Sequence, residues 1–418
     1  MAKKTRKKFE YTFGFETFGR VVFRIASQYF RVKPIMPDDV NNLKEPYLVL
    51  SNHVGSYDPF IIGTFIKDPL HWVASDAVLR EPVIGWFLRN LGVIPKKKNV
   101  RDTALIRDVI TAVRDGGSVA LFPEGVRSWN GNSLSFDPSI AKLVRLLKIP
   151  VVTANLKGMS LSNPRWVFKP RKTERTELEF QIGLTPEQIK SMNDEEVYDA
   201  LNKLLGHNEI EWQRENKIEI QSNTRAEHVG YSLYVCPECK SISTITAAGN
   251  EFKCEDCGYD IEVDKYGFYH RPDASQNLHF DNIADWYNWE EKYLSKLVSE
   301  KFVQKSEEPI FTDVNMDIYK AVSEKELKQT GTGDVSFYID RIEVDYKNGE
   351  KFIFELSKLK GISPQFKENI EIFYDEDVYR FTSQKHGVSG IKYEVVANTL
   401  WKHTGEDFKL VPYVKVHS

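Results

Sequence analysis

His53 and Asp58 have the residue types and the spacing of a general base and its supporting carboxylate. Residues 47–50 form an apolar run that predicts a buried strand, and Asp58 followed by Pro59 predicts the N-cap and first position of a helix. His53 therefore falls in the turn between strand and helix. A carboxylate bonded to one ring nitrogen supports the cation that forms when the other nitrogen removes a proton from a hydroxyl. The alternative is a loop histidine beside an aspartate that only caps a helix.

A second polar segment follows a second predicted strand, at residues 118–122, and reads Pro123-Glu124-Gly125-Val126-Arg127-Ser128. His-x-x-x-x-Asp followed by Phe-Pro-Glu-Gly-x-Arg-Ser resembles the glycerolipid acyltransferase family, which includes the 1-acylglycerol-3-phosphate acyltransferases. Each pattern alone is short, but both occur here in the expected order and at strand ends. The resemblance covers roughly residues 10–215.

Two further segments fit the resemblance in part. Residues 92–98 occupy the position of the family's second block, which usually ends in Arg; here Lys98 is at that position and Arg101 follows three residues later. Lys keeps the charge but lacks the bidentate fork that suits phosphate. Residues 149–152 predict the strand of the fourth block, whereas Phe136-Asp137-Pro138-Ser139 departs from the family's Phe-Lys-x-Gly. The identity of the acceptor therefore stays open.

The resemblance implies transfer of a fatty acyl group from acyl-CoA or acyl carrier protein to the hydroxyl of a lysophospholipid, with 1-acylglycerol-3-phosphate as the expected acceptor. His53 would deprotonate the hydroxyl and Asp58 would orient the imidazole, without a covalent acyl-enzyme. Backbone amides near Gly125 would stabilise the oxyanion, and Arg127 with Lys98 and Arg101 would bind phosphate.

Glu124 and Ser128 each have two interpretations. Glu124 either contacts the acceptor glycerol or fixes its loop, and Ser128 either bonds phosphate or caps the following turn. Two other functions also stay open: a sister acyltransferase for glycerol-3-phosphate or a glycolipid, and a non-enzymatic lipid-binding scaffold.

All four cysteines lie in one segment, as Cys236-x-x-Cys239 and Cys254-x-x-Cys257. This spacing is typical of a four-cysteine zinc ribbon. Four protein ligands leave no open coordination position, so the predicted zinc is structural. Two disulfides are the rival interpretation, which the predicted lack of a secretory signal disfavours. The acidic residues around the pairs argue against nucleic-acid binding.

The amino-terminal segment predicts contact with a membrane surface. Residues 3–8 are almost all basic, and aromatic or aliphatic residues follow at helical period, namely Phe15, Phe18, Val22, Ile25 and Tyr29. Such a segment, here residues 1–31, is typical of an interfacial anchor. The alternatives are a helix packed on the domain core, or a helix that does both. Charged residues interrupt the segment, so we predict neither a secretory signal nor a transmembrane helix.

A length of 418 residues predicts two or three domains, and a formal net charge of −3 argues against general nucleic-acid affinity. Alternating strands and helices predict an α/β layered acyltransferase domain at residues 32–220. The zinc ribbon follows at residues 230–270 and a helical linker at 280–305. Short strands and a final helix at residues 310–410 resemble the PH/GRAM-like barrels, which would imply lipid or protein docking; a structural β domain without a ligand is the alternative. The predicted location is cytoplasmic, peripheral on the inner face of the membrane.

Overall fold

A seven-stranded sheet in the amino-terminal part of the chain is centred on the strand that precedes His53. The computed structural model describes residues 14–44, 46–75, 78–79, 82–96, 103–322, 326–365, 369–384 and 388–414. Two units are distinguished, one made of residues 1–165 and 171–219 and the other of residues 166–170 and 220–418. The predicted basic head and the predicted phosphate ligands Lys98 and Arg101 lie outside the described residues.

The first unit contains a seven-stranded sheet with the order β1-β8-β6-β2-β5-β3-β4. The strands of this unit are β1 (Val32–Ile35), β2 (Leu48–Ser51), β3 (Leu70–Ser75), β4 (Ile94–Lys96), β5 (Ser118–Leu121), β6 (Val151–Lys157), the short β7 (Lys172–Thr173) and β8 (Thr176–Leu184). β2 runs parallel to both β5 and β6, whereas β8 is antiparallel to β6. The carboxyl ends of β2 and β5 therefore meet at one edge of the sheet, where ligands bind in open α/β folds.

Helices cover both faces of this sheet. They are α1 (Phe15–Tyr29), α2 (Asp38–Asn41), α3 (Asp58–Phe65), α4 (Pro82–Asn90), α5 (Thr103–Arg114), α6 (Ser139–Leu147), α7 (Met159–Ser162), α8 (Pro186–Ser191), α9 (Asp194–Leu205) and α10 (Glu209–Asn216). Leu48 and Leu50 of β2 pack in one core with α5, α6 and α9, while Val49 packs in the opposite core with α3. Burial on both faces explains the continuous apolar run that predicted this strand.

Residues 186–205 form two helices, α8 and α9, rather than one continuous helix. The break falls at Asn193, whose Oδ1 accepts from the amide of Glu196 at 3.0 Å, while Glu196 Oε2 accepts from the amide of Asn193 at 2.8 Å. This capping box satisfies two backbone amides at the start of α9, so a new helix begins there.

Helix α1 packs on the domain and also exposes an apolar stripe. Arg20 donates to the carbonyls of Ile66 and Lys67, both at 2.7 Å, and the ring of Phe23 stacks on Phe60 with centroids 4.0 Å apart. The predicted stripe faces outward, with large exposed side chains at Phe18, Val22, Ile25 and Tyr29, joined by Val21. Helix α4 exposes Val83, Ile84 and Trp86. Within the described ranges, no helix has the length and apolar character needed to cross a bilayer.

The second unit begins with β9 (Ile220–Gln221) and a four-stranded antiparallel sheet at the cysteines. The strands of that sheet are β10 (Ile245–Ala248), β11 (Glu251–Cys254), β12 (Asp260–Val263) and β13 (Tyr269–His270). Helix α11 (Ile283–Val303) follows and is fixed to the segment before Cys236: Glu290 accepts from the amides of Tyr234 and Val235 at 2.8 and 3.0 Å, and Trp286 Nε1 donates to the carbonyl of Val235. β10 and β11 form a hairpin between the cysteine pairs, and β12 and β13 extend it.

A seven-stranded antiparallel sheet and a final helix complete the second unit. The strands are β14 (Phe311–Ala321), β15 (Leu327–Phe337), β16 (Arg341–Tyr346), β17 (Lys351–Glu355), β18 (Leu359–Pro364), β19 (Asn369–Tyr374) and β20 (Asp377–Ser383), and the helix is α12 (Ile391–Thr404). Their order is β17-β16-β15-β14-β20-β19-β18. The expectation of a barrel needs correction, because in the described residues β17 and β18 are the two edges of the sheet and its hydrogen bonding is not closed.

Candidate active site

The turn between β2 and α3 brings His53 and Asp58 into direct contact. His53 Nδ1 lies 2.9 Å from Asp58 Oδ2, and the same oxygen accepts from the amides of Val54 and Gly55 at 2.7 and 2.8 Å. Asp58 is fully buried. The predicted N-cap role of Asp58 is wrong: Tyr57 is the N-cap and Asp58 is the first helical residue. Its carboxylate turns back toward the histidine loop, because three donors converge on it there.

The environment of His53 favours a neutral imidazole. Its ring stacks on Phe122 with centroids 3.9 Å apart, and 19% of the side chain is exposed. Burial lowers the pKa of His53; contact with Asp58 acts in the opposite direction, and the charges of Arg127 and Arg165 lower it further. With Nδ1 directed at Asp58, Nε2 is the nitrogen that can accept a proton.

The second motif follows β5 and is bonded to the histidine turn. The amide of Ser128 donates to the carbonyl of His53 at 2.8 Å. Ser128 Oγ donates to Asn130 Oδ1 and accepts from the amide of Gly131 at 3.0 Å. These contacts fit the turn-capping interpretation of this buried serine, so its contact with substrate stays a prediction.

Glu124 lies below the surface, 4% exposed. Burial raises its pKa well above the ordinary value, and backbone hydrogen bonds at His53 and Leu134 act in the opposite direction. A carboxylate that joins two loops fits the loop-fixing interpretation. Gly125 is exposed and adopts a left-handed conformation with φ of 72°, and its amide donates to the carbonyl of Phe122 at 3.1 Å. The amide of Gly125 is therefore engaged in the loop, and oxyanion donation from this region stays a prediction.

Two arginines make the surroundings of His53 basic, and a lysine approaches the neighbouring Gly125 loop. Arg127 Nη1 donates to Ser56 Oγ at 3.1 Å, so its guanidinium reaches the histidine turn. Arg165 Nη1 donates to the carbonyl of Arg127 at 2.8 Å. Burial, followed by the charge of Arg165, lowers the pKa of Arg127 to about 10. A Cβ at Gly125 would lie 3.9 Å from Lys96 Nζ, so this lysine approaches the same loop.

Sequence reasoning missed Arg165 and Lys96. The guanidinium of Arg165 lies 3.9 Å from the ring centroid of Trp129, and the residue is 9% exposed. Basic residues are frequent from position 165 to 175, but nothing local in the sequence distinguishes the buried ones. Arg165 lies beside Arg127 because the segment that follows β6 and α7 passes next to the Arg127 loop.

The four cysteines of the second unit converge on one point. Their Sγ atoms all lie within 4.8 Å of one another, with Cys236–Cys257 and Cys239–Cys254 at 3.6 Å. A regular tetrahedron with Zn–S bonds of about 2.3 Å has edges of about 3.8 Å. The sulfurs therefore fit a tetrahedral metal, and the cysteines are not joined in disulfides.

The two cysteine loops share one backbone geometry. The amides of Lys240 and Gly258 each donate to the carbonyl of the first cysteine of their pair at 3.0 Å, and both residues have positive φ, 66° and 76°. This repeated turn directs both sulfurs of each pair toward the centre of the cluster.

Comparisons with known proteins find similarity within the first unit. A sequence model of the family described as Acyltransferase matches residues 31–157. A probable 1-acyl-sn-glycerol-3-phosphate acyltransferase from Mycoplasma genitalium is 23% identical over 54% of this chain and 81% of its own length. The 1-acyl-sn-glycerol-3-phosphate acyltransferase of Saccharomyces cerevisiae is 24% identical over 39% of this chain and 58% of its own.

Two further matches complete the comparison. A lyso-ornithine lipid O-acyltransferase from Rhodobacter capsulatus is 28% identical over 28% of this chain and 45% of its own length. The crystal structure of a 1-acyl-sn-glycerophosphate acyltransferase from Thermotoga maritima matches with a TM-score of 0.38 and 22% identity, over 46% of this chain and 75% of its own.

The sheet, the histidine turn and the family match together define an acyltransferase domain. The chain is an acyltransferase enzyme similar to the 1-acylglycerol-3-phosphate O-acyltransferases. The Saccharomyces and Rhodobacter relatives are matched over less than two thirds of their own length.

Proposed function

We propose that this enzyme transfers a fatty acyl group from a thioester, acyl-CoA or acyl carrier protein, to the hydroxyl of 1-acylglycerol-3-phosphate in phospholipid biosynthesis. The observation that carries the proposal is the 2.9 Å contact between His53 Nδ1 and Asp58 Oδ2, with Arg127 bonded to the same turn through Ser56. A base on this turn and a phosphate ligand bonded to it match an acceptor that carries both a hydroxyl and a phosphate.

In the proposed reaction, His53 and Asp58 at this turn carry the proton transfer. His53 Nε2 accepts the proton of the acceptor hydroxyl while the hydroxyl oxygen attacks the thioester carbonyl. Asp58, held by two backbone amides, stabilises the imidazolium. The tetrahedral intermediate then collapses, the C–S bond breaks, and the imidazolium returns its proton to the leaving thiolate. The ester forms in one acyl transfer, and His53 ends neutral.

The phosphate subsite is proposed to contain Arg127, Arg165 and Lys96, with Lys98 and Arg101 as further predicted ligands. The support is the contact between Arg165 and the carbonyl of Arg127, the approach of Lys96 to the neighbouring Gly125, and the lowered pKa of Arg127, which arises first from burial and then from the charge of Arg165. A dianionic phosphate relieves that repulsion through charge-assisted hydrogen bonds.

We further propose that the exposed apolar side chains of α1 and α4 contact the membrane that supplies the acceptor. The rings of Phe23 in α1 and Phe87 in α4 lie 6.2 Å apart, so the two helices are neighbours. Each helix exposes at least three large apolar residues, and such surfaces mark interaction sites. The proposed location is therefore peripheral, at the cytoplasmic face of a membrane.

The metal of the cysteine cluster is proposed to be structural zinc. Four thiolates at tetrahedral separations support this assignment, since Zn²⁺ is the usual ion in such sites. Cys236, Cys239, Cys254 and Cys257 would hold it and fix the two turns at the start of the second unit.

An acceptor without phosphate is the second candidate. The relative named lyso-ornithine lipid O-acyltransferase supports it, as does the departure of residues 136–139 from the family pattern. The deciding experiment incubates the purified chain with liposomes, both thioester donors and a panel of lysolipids, including dephosphorylated 1-acylglycerol, and follows products by mass spectrometry. Selective acylation of 1-acylglycerol-3-phosphate supports the proposal, and equal or faster acylation of a phosphate-free acceptor overturns it in favour of the second candidate.

A further inference from the structure

We propose that Asn163 is a positioning residue of the acyl-transfer site: its side-chain amide faces the second oxygen of the Asp58 carboxylate and holds it in the orientation that bonds His53. The inference rests on the proposed function, because it assigns a role in the same site. Asn163 lies outside both sequence motifs, and it was not among the residues that the sequence indicated.

The side chains of Asn163 and Asp58 approach each other beside Gly55, in the turn between His53 and Asp58. A Cβ placed on Gly55 would lie 2.8 Å from Asn163 Nδ2 and 3.0 Å from Asp58 Oδ1. The two atoms therefore border the same point, on the side of Gly55 where any other residue would carry its side chain. Only glycine lets the amide and the carboxylate approach each other there.

The two atoms are chemically complementary. Asn163 is 5% exposed and Asp58 is fully buried, and neither Asn163 Nδ2 nor Asp58 Oδ1 has a hydrogen-bond partner in this structure. Oδ2 already accepts from three groups, so Oδ1 is the oxygen with capacity left. An unsatisfied buried donor or acceptor costs about 1–3 kcal/mol. The proposed contact, made directly or through one water, would satisfy both groups at once.

The backbone holds Asn163 in place from the neighbouring strand. The backbone N–H of Asn163 donates to the carbonyl of Met159 at 2.8 Å, and this bond closes the short helix α7 after β6. The end of β6 is tied to the histidine segment by Asn52, whose side chain bonds both the amide and the carbonyl of Leu156, at 2.8 and 2.9 Å. The strand that supports Asn163 is thus linked to the residue preceding His53.

The charges that face His53 are those of Asp58, Arg127 and Arg165, with Glu124 near its backbone. The Asn163 amide has no charge and does not titrate, so its removal acts through Asp58 alone. Without a donor at Oδ1, the Asp58 carboxylate is no longer held in the orientation that bonds His53 Nδ1, so it stabilises the imidazolium less strongly. The pKa of His53 should then fall further below its ordinary value.

The test compares Asn163→Ala with Asn163→Gln, which keeps the amide, and with Ser162→Ala as a matched control. Ser162 is the adjacent buried polar residue, and its hydroxyl bonds Met159. We expect Asn163→Ala to lower kcat about 10-fold, the lower limit for loss of such a supporting group, with little change in KM. The acid limb of its pH–rate profile should move to lower pH, while Asn163→Gln and Ser162→Ala stay near the wild type.

An NMR titration of His53 in the same variants tests the inference without relying on turnover. We expect its midpoint to fall in Asn163→Ala and to be retained in Asn163→Gln. A midpoint in Asn163→Ala equal to that of the wild-type protein would overturn the role of Asn163, even if activity were lost. Absence of acyl transfer by the wild type would instead overturn the proposed function, and the titration would still decide the contact.

Discussion

The backbone amide of Ser128 donates to the carbonyl oxygen of His53 at 2.8 Å. This bond joins the turn after β2 to the turn after β5, two segments that are far apart in the sequence and adjacent because their strands pair in parallel. The proposed general base and the proposed phosphate ligand Arg127 therefore share one rigid support. Binding of the acceptor phosphate would fix its hydroxyl relative to the imidazole.

The first prediction concerns the pH dependence of acyl transfer. Burial and the charges of Arg127 and Arg165 lower the pKa of His53, so the imidazole stays neutral and competent as a base to below its ordinary pKa of about 6.5. The kcat/KM should be constant near neutrality and fall on acidification with a midpoint below about 6.5. A profile measured with saturating thioester donor checks this, and a midpoint above 6.5 would contradict the described environment.

The second prediction concerns Arg165. We expect Arg165→Gln to raise the KM for 1-acylglycerol-3-phosphate about 10–100-fold, because a hydrogen bond to a charged group contributes about 1.5–3 kcal/mol, and to leave the KM for the dephosphorylated acceptor unchanged. Arg145→Gln is the matched control, since Arg145 forms an exposed ion pair with Asp194. An equal rise for both acceptors would show that Arg165 only supports the carbonyl of Arg127.

The residues of the proposed site show what the sequence could and could not predict. His53 and Asp58 are five positions apart, so a local turn was enough to predict their contact. Arg165 and Asn163 reach the site through the crossover after β6, and no local pattern specifies which of many polar residues that crossover buries. The N-cap assignment of Asp58 was wrong for a related reason. Asp often caps a helix, but here three groups of the preceding turn bond the Asp58 carboxylate instead.

The same contrast holds in the second unit. The final helix that the sequence predicts is present as α12, residues 391–404, and Gly390 and Gly405 mark its two ends. By contrast, the sequence of β14 does not specify its pairing, because an irregularity at Asn315, which has positive φ, interrupts the strand. That irregularity shifts the register between Asp313 and Met316, and only the pairing with β15 reveals it.

The third prediction concerns loss of the metal. Lys392 and Asp313 form a fully buried ion pair at 2.6 Å, and Ser243, between the cysteine pairs, bonds Asp313 at 3.0 Å. Cys239→Ser should abolish binding of zinc and release this segment, which leaves the buried charges less well satisfied. A loss of about 3 kcal/mol corresponds to a melting temperature lower by about 6–12 °C.

Elemental analysis and differential scanning calorimetry measure both effects of this substitution. Asp256→Ala, in the second cysteine loop, is the matched control, because it keeps all four sulfurs. One zinc per chain in the wild type and none in Cys239→Ser is the expected result. Full zinc content in Cys239→Ser, or an unchanged melting temperature, would contradict the proposed structural role.

The fourth prediction concerns the membrane. Ile25→Asp in α1 and Val83→Asp in α4 should each weaken liposome binding about 10-fold or more, since burying one such side chain contributes about 1.5–3 kcal/mol. Leu146→Asp is the matched control, because Leu146 is similarly exposed but lies on α6, across the sheet. Flotation with anionic vesicles measures the binding. Equal effects of all three substitutions would exclude α1 and α4 as the docking surface.

The rate of acyl transfer by purified His53→Ala tests the central claim most directly. With 1-acylglycerol-3-phosphate in liposomes and the thioester donor that the wild-type enzyme uses, we expect this rate to fall about 10²–10⁴-fold, the usual loss on removal of a general base. Folding and liposome binding should be retained, and His270→Ala, at an exposed histidine of the second unit, should transfer at the wild-type rate. Normal transfer by folded His53→Ala would contradict the account.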